Sequence, residues 1–259
     1  MNSLMYTSEY DKMYRSEDKL WWYKCLRDLL KYYIQNYYSA TPRILDAGCG
    51  TGKNMEFLIS LGYDQVEGFD YSADAIRFCR MRGLKQVQQG SVTAIDHPDC
   101  SFDIVYCMDV LGCLPEEERI QAVSELFRVL KPGGLFLCNS ASLNIFRSQH
   151  DDVGNIKIRF SRPQFIALFE AEDRHIVKLS YRIFLLSPLV LVFKLTKNLI
   201  RMLKPGGRSQ SDQIVFPLGI NWFFSQVQRF ENFLLKMVDL PFGSSVFIVM
   251  KKRDREEIG

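Results

Sequence analysis

Histidine is scarce in this chain: three residues in 259, at positions 97, 150 and 175. None stands with acids or other histidines at ligand spacing, so the sequence carries no metal-site pattern. Cysteine occurs seven times (25, 49, 79, 100, 107, 113, 138) but never as Cys-x-x-Cys. An odd, scattered set excludes a disulfide framework and a zinc ribbon, and reads as reduced core thiols of a cytoplasmic protein. Long apolar runs are missing as well. The most apolar stretch, Ile183 to Phe193, is interrupted by Pro188 and ends at Lys194, too short to span a bilayer. The polar start, Met1 to Asp18, has no signal-peptide core. Net charge is only +3, which gives no reason to expect a nucleic-acid partner. There is no internal repeat and no low-complexity segment. What is there, 47% apolar and 13% aromatic residues, allows a sizeable core in one large α/β domain.

One further absence is local. In Ile44-Leu45-Asp46-Ala47-Gly48-Cys49-Gly50-Thr51-Gly52 a short apolar strand runs into three glycines at alternate positions, and Met55, Phe57, Leu58 and Leu61 then start a helical pattern. A strand turning sharply into a helix exposes the helix's free N–H groups, and residues without Cβ let a ligand approach them. The dinucleotide spacing Gly-x-Gly-x-x-Gly would need glycine at 53, where Lys53 stands. With no Tyr-x-x-x-Lys pair either, a nicotinamide-dependent oxidoreductase is disfavoured. A second strand, Gln65 to Asp70, ends in an acid about 20 residues past the turn, where a carboxylate reaches ribose hydroxyls in a doubly wound sheet.

The ordered set resembles the class I S-adenosylmethionine-dependent methyltransferases, of the type 11-like group. The carriers are the strand acid and Ala-Gly-Cys-Gly-Thr-Gly of 46–52, the acid-ended strand at Asp70, the strand Phe102 to Met108, and Leu130-Lys-Pro-Gly-Gly-Leu135 opening a fifth strand. The resemblance covers roughly residues 41 to 141 and is specific as a series. It implies a seven-stranded Rossmann-like α/β sheet with helices on both faces, a last strand antiparallel between strands five and six, and S-adenosyl-L-methionine as cofactor. It also implies roles for particular residues. Asp46, Ala47, Gly48 and Gly50 hold the methionine portion, Asp70 the ribose, and Tyr71 the adenine. Ser91 and Val92 meet the adenine edge, at a place where the family commonly has an acid. The backbone around Cys107 and Met108 faces the methyl group and sulfonium. Trp22 and Tyr23 belong to an N-terminal lid, with Arg27 a partner for the methionine carboxylate; the alternative is that these aromatics only dock their helix.

The second half should decide the acceptor. Arg147-Ser148-Gln149-His150-Asp151-Asp152 follows the fifth strand on the ligand side and looks like a Trp-Ser-Arg-His-Asp segment of one uncharacterised subgroup, which also shares the Trp-Trp-Tyr start and the Leu240-Pro-Phe-Gly-Ser244 end. His150 reads either as a general base, with Asp151 orienting it, or as a surface histidine in a polar loop. Residues 186–243 read as a helical insertion. Ile220, Phe223, Val227, Phe230, Leu234 and Met237 form a seam that should pack on another apolar surface. Lys194, Lys197, Arg201 and Lys204 line one stripe, and no acid occurs from Arg174 through Ser211. That stripe is either a solvated face or a peripheral contact with a membrane or lipid-bearing acceptor.

The expected plan is one domain over 1–259: a helical lid (1–40), a core (41–185 and 244–253) and the insertion. The expected activity is methyl transfer to an O or N atom of an apolar small molecule, lipid or peptide natural product. The alternative is a non-catalytic methyltransferase-fold binding subunit.

Overall fold

The computed structural model describes residues 7–38, 41–203 and 216–254. Seven strands form one sheet in the order β3-β2-β1-β4-β5-β7-β6. They are β1 (Ile44–Ala47), β2 (Val66–Asp70), β3 (Val87–Gln89), β4 (Phe102–Met108), β5 (Leu130–Ala141), β6 (Arg174–Arg182) and β7 (Ser245–Lys252). β1 lies between β2 and β4, parallel to both, and β7 runs antiparallel to β5 and β6. A strand covered on both faces must be apolar throughout. All four residues of β1 are accordingly buried, including the acid Asp46. Alternate side chains feed two separate cores. Leu45 and Ala47 join Val105, Phe136 and Phe165 on one face, while Ile44 joins Tyr106, Leu29 and Phe247 on the other.

Helices α3 (Lys53–Ser60), α4 (Ala73–Met81) and α5 (Glu116–Val129) make the crossovers. The span 7–38, which reads as one helical region, is two helices, α1 (Thr7–Ser16) and α2 (Trp21–Tyr37). The break at 17–20 places Glu17 against the glycine turn, where it accepts from Thr51 Oγ1 and from Arg82. In α5 the helical spacing of Ile120, Val123, Leu126 and Phe127 predicts one buried face, and Val123, Leu126 and Phe127 form it. Ile120 is instead solvent-exposed, and Arg119 takes the inward position with Nε on the Leu114 carbonyl. Short helices α6 (Gln149–Val153) and α7 (Arg162–Ala167) follow β5, each opened by a capping box.

The insertion holds α8 (Ser187–Leu203) and α9 (Leu218–Met237), and here two expectations fail. The seam of α9 does not pack inward: Ile220, Phe223, Phe230 and Met237 are exposed. The helix instead buries Asn221, Ser225, Gln228, Glu231 and Asn232. Each of these but Ser225 meets a group that needs a partner. Asn221 accepts from Trp21 N and donates to Lys19 O, and Asn232 donates to Cys25 O. Glu231 accepts from the Ile183 and Leu185 amides and from Gln228. Lys194 is likewise no member of a solvated stripe; it is buried and donates to Phe146 O at 2.7 Å. The Lys204 position and the Arg201 side chain lie outside the described residues. Among the described residues no helix is long and apolar enough to cross a membrane.

Candidate active site

The carboxyl ends of β1, β2 and β4 lie side by side, and the turns leaving them wall a cavity of about 880 Å³. Such a crevice is where open α/β sheets take ligands. Gly48 sits at φ +88°, and a Cβ there would fall 2.3 Å from Val110 Cγ2. Gly50 also has positive φ. The Gly48 and Cys49 amides donate to Phe69 O, so the turn is laced to β2. Asp70 completes the lacing: Oδ2 accepts from Gly50 N and Oδ1 from Ser72 N, both at 2.9 Å. Burial raises its pKa, opposed by those two bonds. Each oxygen keeps a lone pair for a ligand.

Asp46 lies one strand over with both carboxylate oxygens buried and unbonded. Desolvation pushes its pKa up to about 8. The Tyr106 hydroxyl stands near enough to lower it somewhat without closing a hydrogen bond, and Asp70 adds to the rise.

Of the residues singled out in the sequence, Trp22, Tyr23, Gly48, Gly50, Asp70 and Tyr71 border this cavity, as do Ser91, Val92 and His150. The Ser91 hydroxyl also pairs with Thr93 Oγ1 at 2.8 Å. Asp46, Ala47, Cys107 and Arg27 do not border it. Ala47 and Cys107 are fully buried, and Met108, one residue on, takes the wall position. Arg27 is buried with Nη2 on Glu17 O at 2.9 Å and Nη1 unpartnered. Asp151 spends its carboxylate on Arg159 and the Ser148 amide. It thus braces the short helix α6 that carries His150.

Three cavity residues escaped the sequence reading. Asp109, directly after β4, has φ +61°, uncommon for a side chain with Cβ. It is open on the cavity side and enclosed elsewhere. Its Oδ1 accepts from Asn139 Nδ2 at 2.8 Å, and Asn139 Oδ1 accepts from Arg182 Nη1 at 3.0 Å. Burial raises the Asp109 pKa, while the Asn139 bond and the charges of Arg182 and Arg159 pull it down. The arginine fixes the amide so that its NH₂ faces the carboxylate. An acid at a strand's carboxyl end was a readable signal for Asp109, the same one that marks Asp70. Arg182, within an apolar stretch, offered none.

The far half of the cavity is apolar: Leu186, Leu189, Val190 and Phe193 on one side, Phe216, Ile220 and Phe224 on the other. The volume lies in the upper range of small-molecule sites.

Residues 44–134 match the family model described as a methyltransferase domain. Over that span the chain resembles the class I methyltransferases. The chain is 33% identical over 126 residues to a fatty-acid O-methyltransferase of Mycolicibacterium smegmatis, covering 44% of this chain and 45% of that one. It spans less than half the length of the curated relatives first matched. Among solved structures, a SAM-dependent methyltransferase of Methanosarcina mazei superposes with TM-score 0.55 at 19% identity, over 85% of this chain and 97% of that one. The [4+2]-cyclase SpnF superposes with TM-score 0.53 at 17% identity, over 86% and 80%. These two establish the fold alone, and the methyltransferase fold also carries a cyclase.

The family implies S-adenosyl-L-methionine, and the residues present fit it. The glycine turn leaves no room for a Cβ at position 48. Asp70 is held by main-chain amides with acceptor capacity to spare for a vicinal diol.

Proposed function

We propose that the chain is a methyltransferase that uses S-adenosyl-L-methionine to methylate an O or N atom of an apolar small molecule, lipid or peptide. The observation that carries this is the single cavity joining two unlike halves: a glycine turn with Asp70 at one end, apolar walls from α8 and α9 at the other. When bound, the cofactor supplies a methyl carbon already activated by its sulfonium. The protein's part is then alignment and exclusion of water, and holding reactants at roughly 3 Å contact supplies much of the rate. Gly48, Gly50 and Asp70 hold the cofactor. Trp22 and Tyr23, on the lid helix α2, cover it. Either Asp109 or His150, which border the same cavity, takes the one proton that a hydroxyl or amine acceptor sheds on methylation. A carboxylate acceptor would need only positioning.

Calorimetric titration with S-adenosylhomocysteine and with NAD tests the cofactor: only the first should bind. Release of S-adenosylhomocysteine is then followed with fatty acids, long-chain alcohols, amines and apolar peptides. Turnover on one class is the expected result. Tight cofactor binding with no turnover on any class would point to a binding subunit.

A further inference from the structure

The insertion's two helices face the wrong way for a buried element. On α9, the side that repeats at helical spacing and carries Leu218, Trp222, Phe230, Phe233 and Met237 points outward; Leu218 is 90% exposed, Met237 70% and Trp222 63%. On α8, Leu189, Val192, Leu195 and Leu199 are each more than half exposed. Scattered surface leucines need no explanation, but two helices that line one cavity and both turn apolar faces to water do. We propose that these outward faces dock the protein on an anionic lipid bilayer, with the cavity mouth at the membrane surface.

Three observations single out a bilayer over a protein partner. The first is charge. Residues 186–243 carry six Lys and Arg besides the buried Lys194, against three Asp and Glu. Of the described acids, Glu231 is fully buried, and Asp239 is paired with Arg162 and Lys178. Arg229, paired with Asp28, and Lys236, over the Tyr32 ring, keep their exposed positions. An interfacial helix gains from cations beside its apolar face when the lipid is anionic. The second is side-chain type: Trp222 with Phe223, Phe230 and Phe233 is the aromatic composition that seats at a membrane–water boundary. The third is position. Leu189 and Ile220 are exposed and also line the cavity, one from each helix, so the apolar surface runs on into the cavity rim. A protein covering that surface would close the mouth. A bilayer there would open it to an apolar acceptor.

Flotation on a sucrose gradient tests this with two vesicle preparations, phosphatidylcholine alone and phosphatidylcholine mixed with phosphatidylglycerol. The protein should float with the mixed vesicles, far less with the neutral ones, and be released by high salt. Trp222 emission should shift to the blue on binding, and the shift should vanish in Trp222→Phe while flotation persists. The variant Phe230→Glu/Phe233→Glu changes two exposed side chains that do not line the cavity. It should lose about tenfold or more in vesicle partitioning, with melting temperature and S-adenosylhomocysteine affinity unchanged. No flotation with either vesicle, or undiminished flotation of the double variant, overturns the proposal. So does a dimer in sedimentation that this variant dissociates, since the face would then belong to a second copy. The readout needs no turnover, so a negative result here leaves the methyltransferase reading standing, and a failed cofactor titration leaves this one standing.

Discussion

Replacing Asp70 with asparagine separates the two jobs this carboxylate is given. It accepts the Gly50 and Ser72 amides, which shapes the turn, and it has lone pairs left for the ribose diol. Asparagine keeps one acceptor oxygen and offers an NH₂ in place of the other, so one main-chain amide and one ribose hydroxyl lose a charged acceptor. A hydrogen bond to a charged group is worth about 1.5–3 kcal/mol. On the ligand side that corresponds to S-adenosylhomocysteine binding about 10- to 150-fold more weakly, measured by titration calorimetry. The turn should suffer too, so melting is followed in parallel and titrations are run well below the variant's midpoint. Because burial raises the Asp70 pKa, wild-type affinity should begin to fall at a higher pH than for an ordinary aspartate as the solution is acidified. Asp70→Asn should lack that acid limb. A folded Asp70→Asn protein whose dissociation constant stays within about twofold of wild type would refute the ribose assignment, whatever the fold.

Other substitutions probe the neighbouring parts. Gly48→Ala must place a Cβ 2.3 Å from Val110 Cγ2 at φ +88°, so it should lower the melting temperature and abolish S-adenosylhomocysteine binding in calorimetry. Asp46 has a folded pKa of about 8, above the unfolded value of roughly 4. Its protonated form therefore favours the folded state. That stability is fully present below about pH 4 and is lost as pH rises toward 8, by up to about 1.4 kcal/mol per pH unit. Asp46→Asn should flatten this slope and melt higher than wild type at pH 8 to 9, as checked by thermal scans across pH. Asp151→Ala leaves Arg159 buried without its carboxylate, and breaking such a pair costs about 3–5 kcal/mol in chemical denaturation. With an acceptor in hand, Asp109→Asn and His150→Ala should each be assayed for turnover and cofactor affinity. The one that lowers kcat with S-adenosylhomocysteine binding unchanged is the proton acceptor, and if neither does, the acceptor needs no base.

The sheet was readable because its determinants are local. Each parallel strand is a short apolar run closed by glycine, an acid or a turn, and the order of such runs nearly dictates the topology once crossovers are right-handed. Thus β4 spans Phe102–Met108 as expected, and β7 lies antiparallel between β5 and β6. Asp70 could be found because an acid closing the second strand stands where a doubly wound sheet meets ribose hydroxyls. Asp109 carries the same signal at the carboxyl end of β4. Arg182 could not be found. Its importance comes from Asn139, 43 positions earlier on another strand, and from the apolar residues that bury both.

α9 shows where reading by period breaks down. Apolar side chains at three- and four-residue steps establish that a helix has two unlike faces, and the rule that the apolar face turns inward supplies the rest. In α9 the first statement holds and the second does not, because the neighbouring elements present unmet hydrogen-bonding groups. The Trp21 amide at the start of α2 and the Ile183 and Leu185 amides past β6 all need partners, and Asn221 and Glu231 supply them. An unpaired buried main-chain group costs about 1–3 kcal/mol, so a few such bonds compete with the burial of several apolar side chains at about 1.5–3 kcal/mol each. Neither side of that balance wins by a wide margin in water. What tips it is a surrounding in which the outward apolar face is not left in water at all, and that is the condition the vesicle experiment measures.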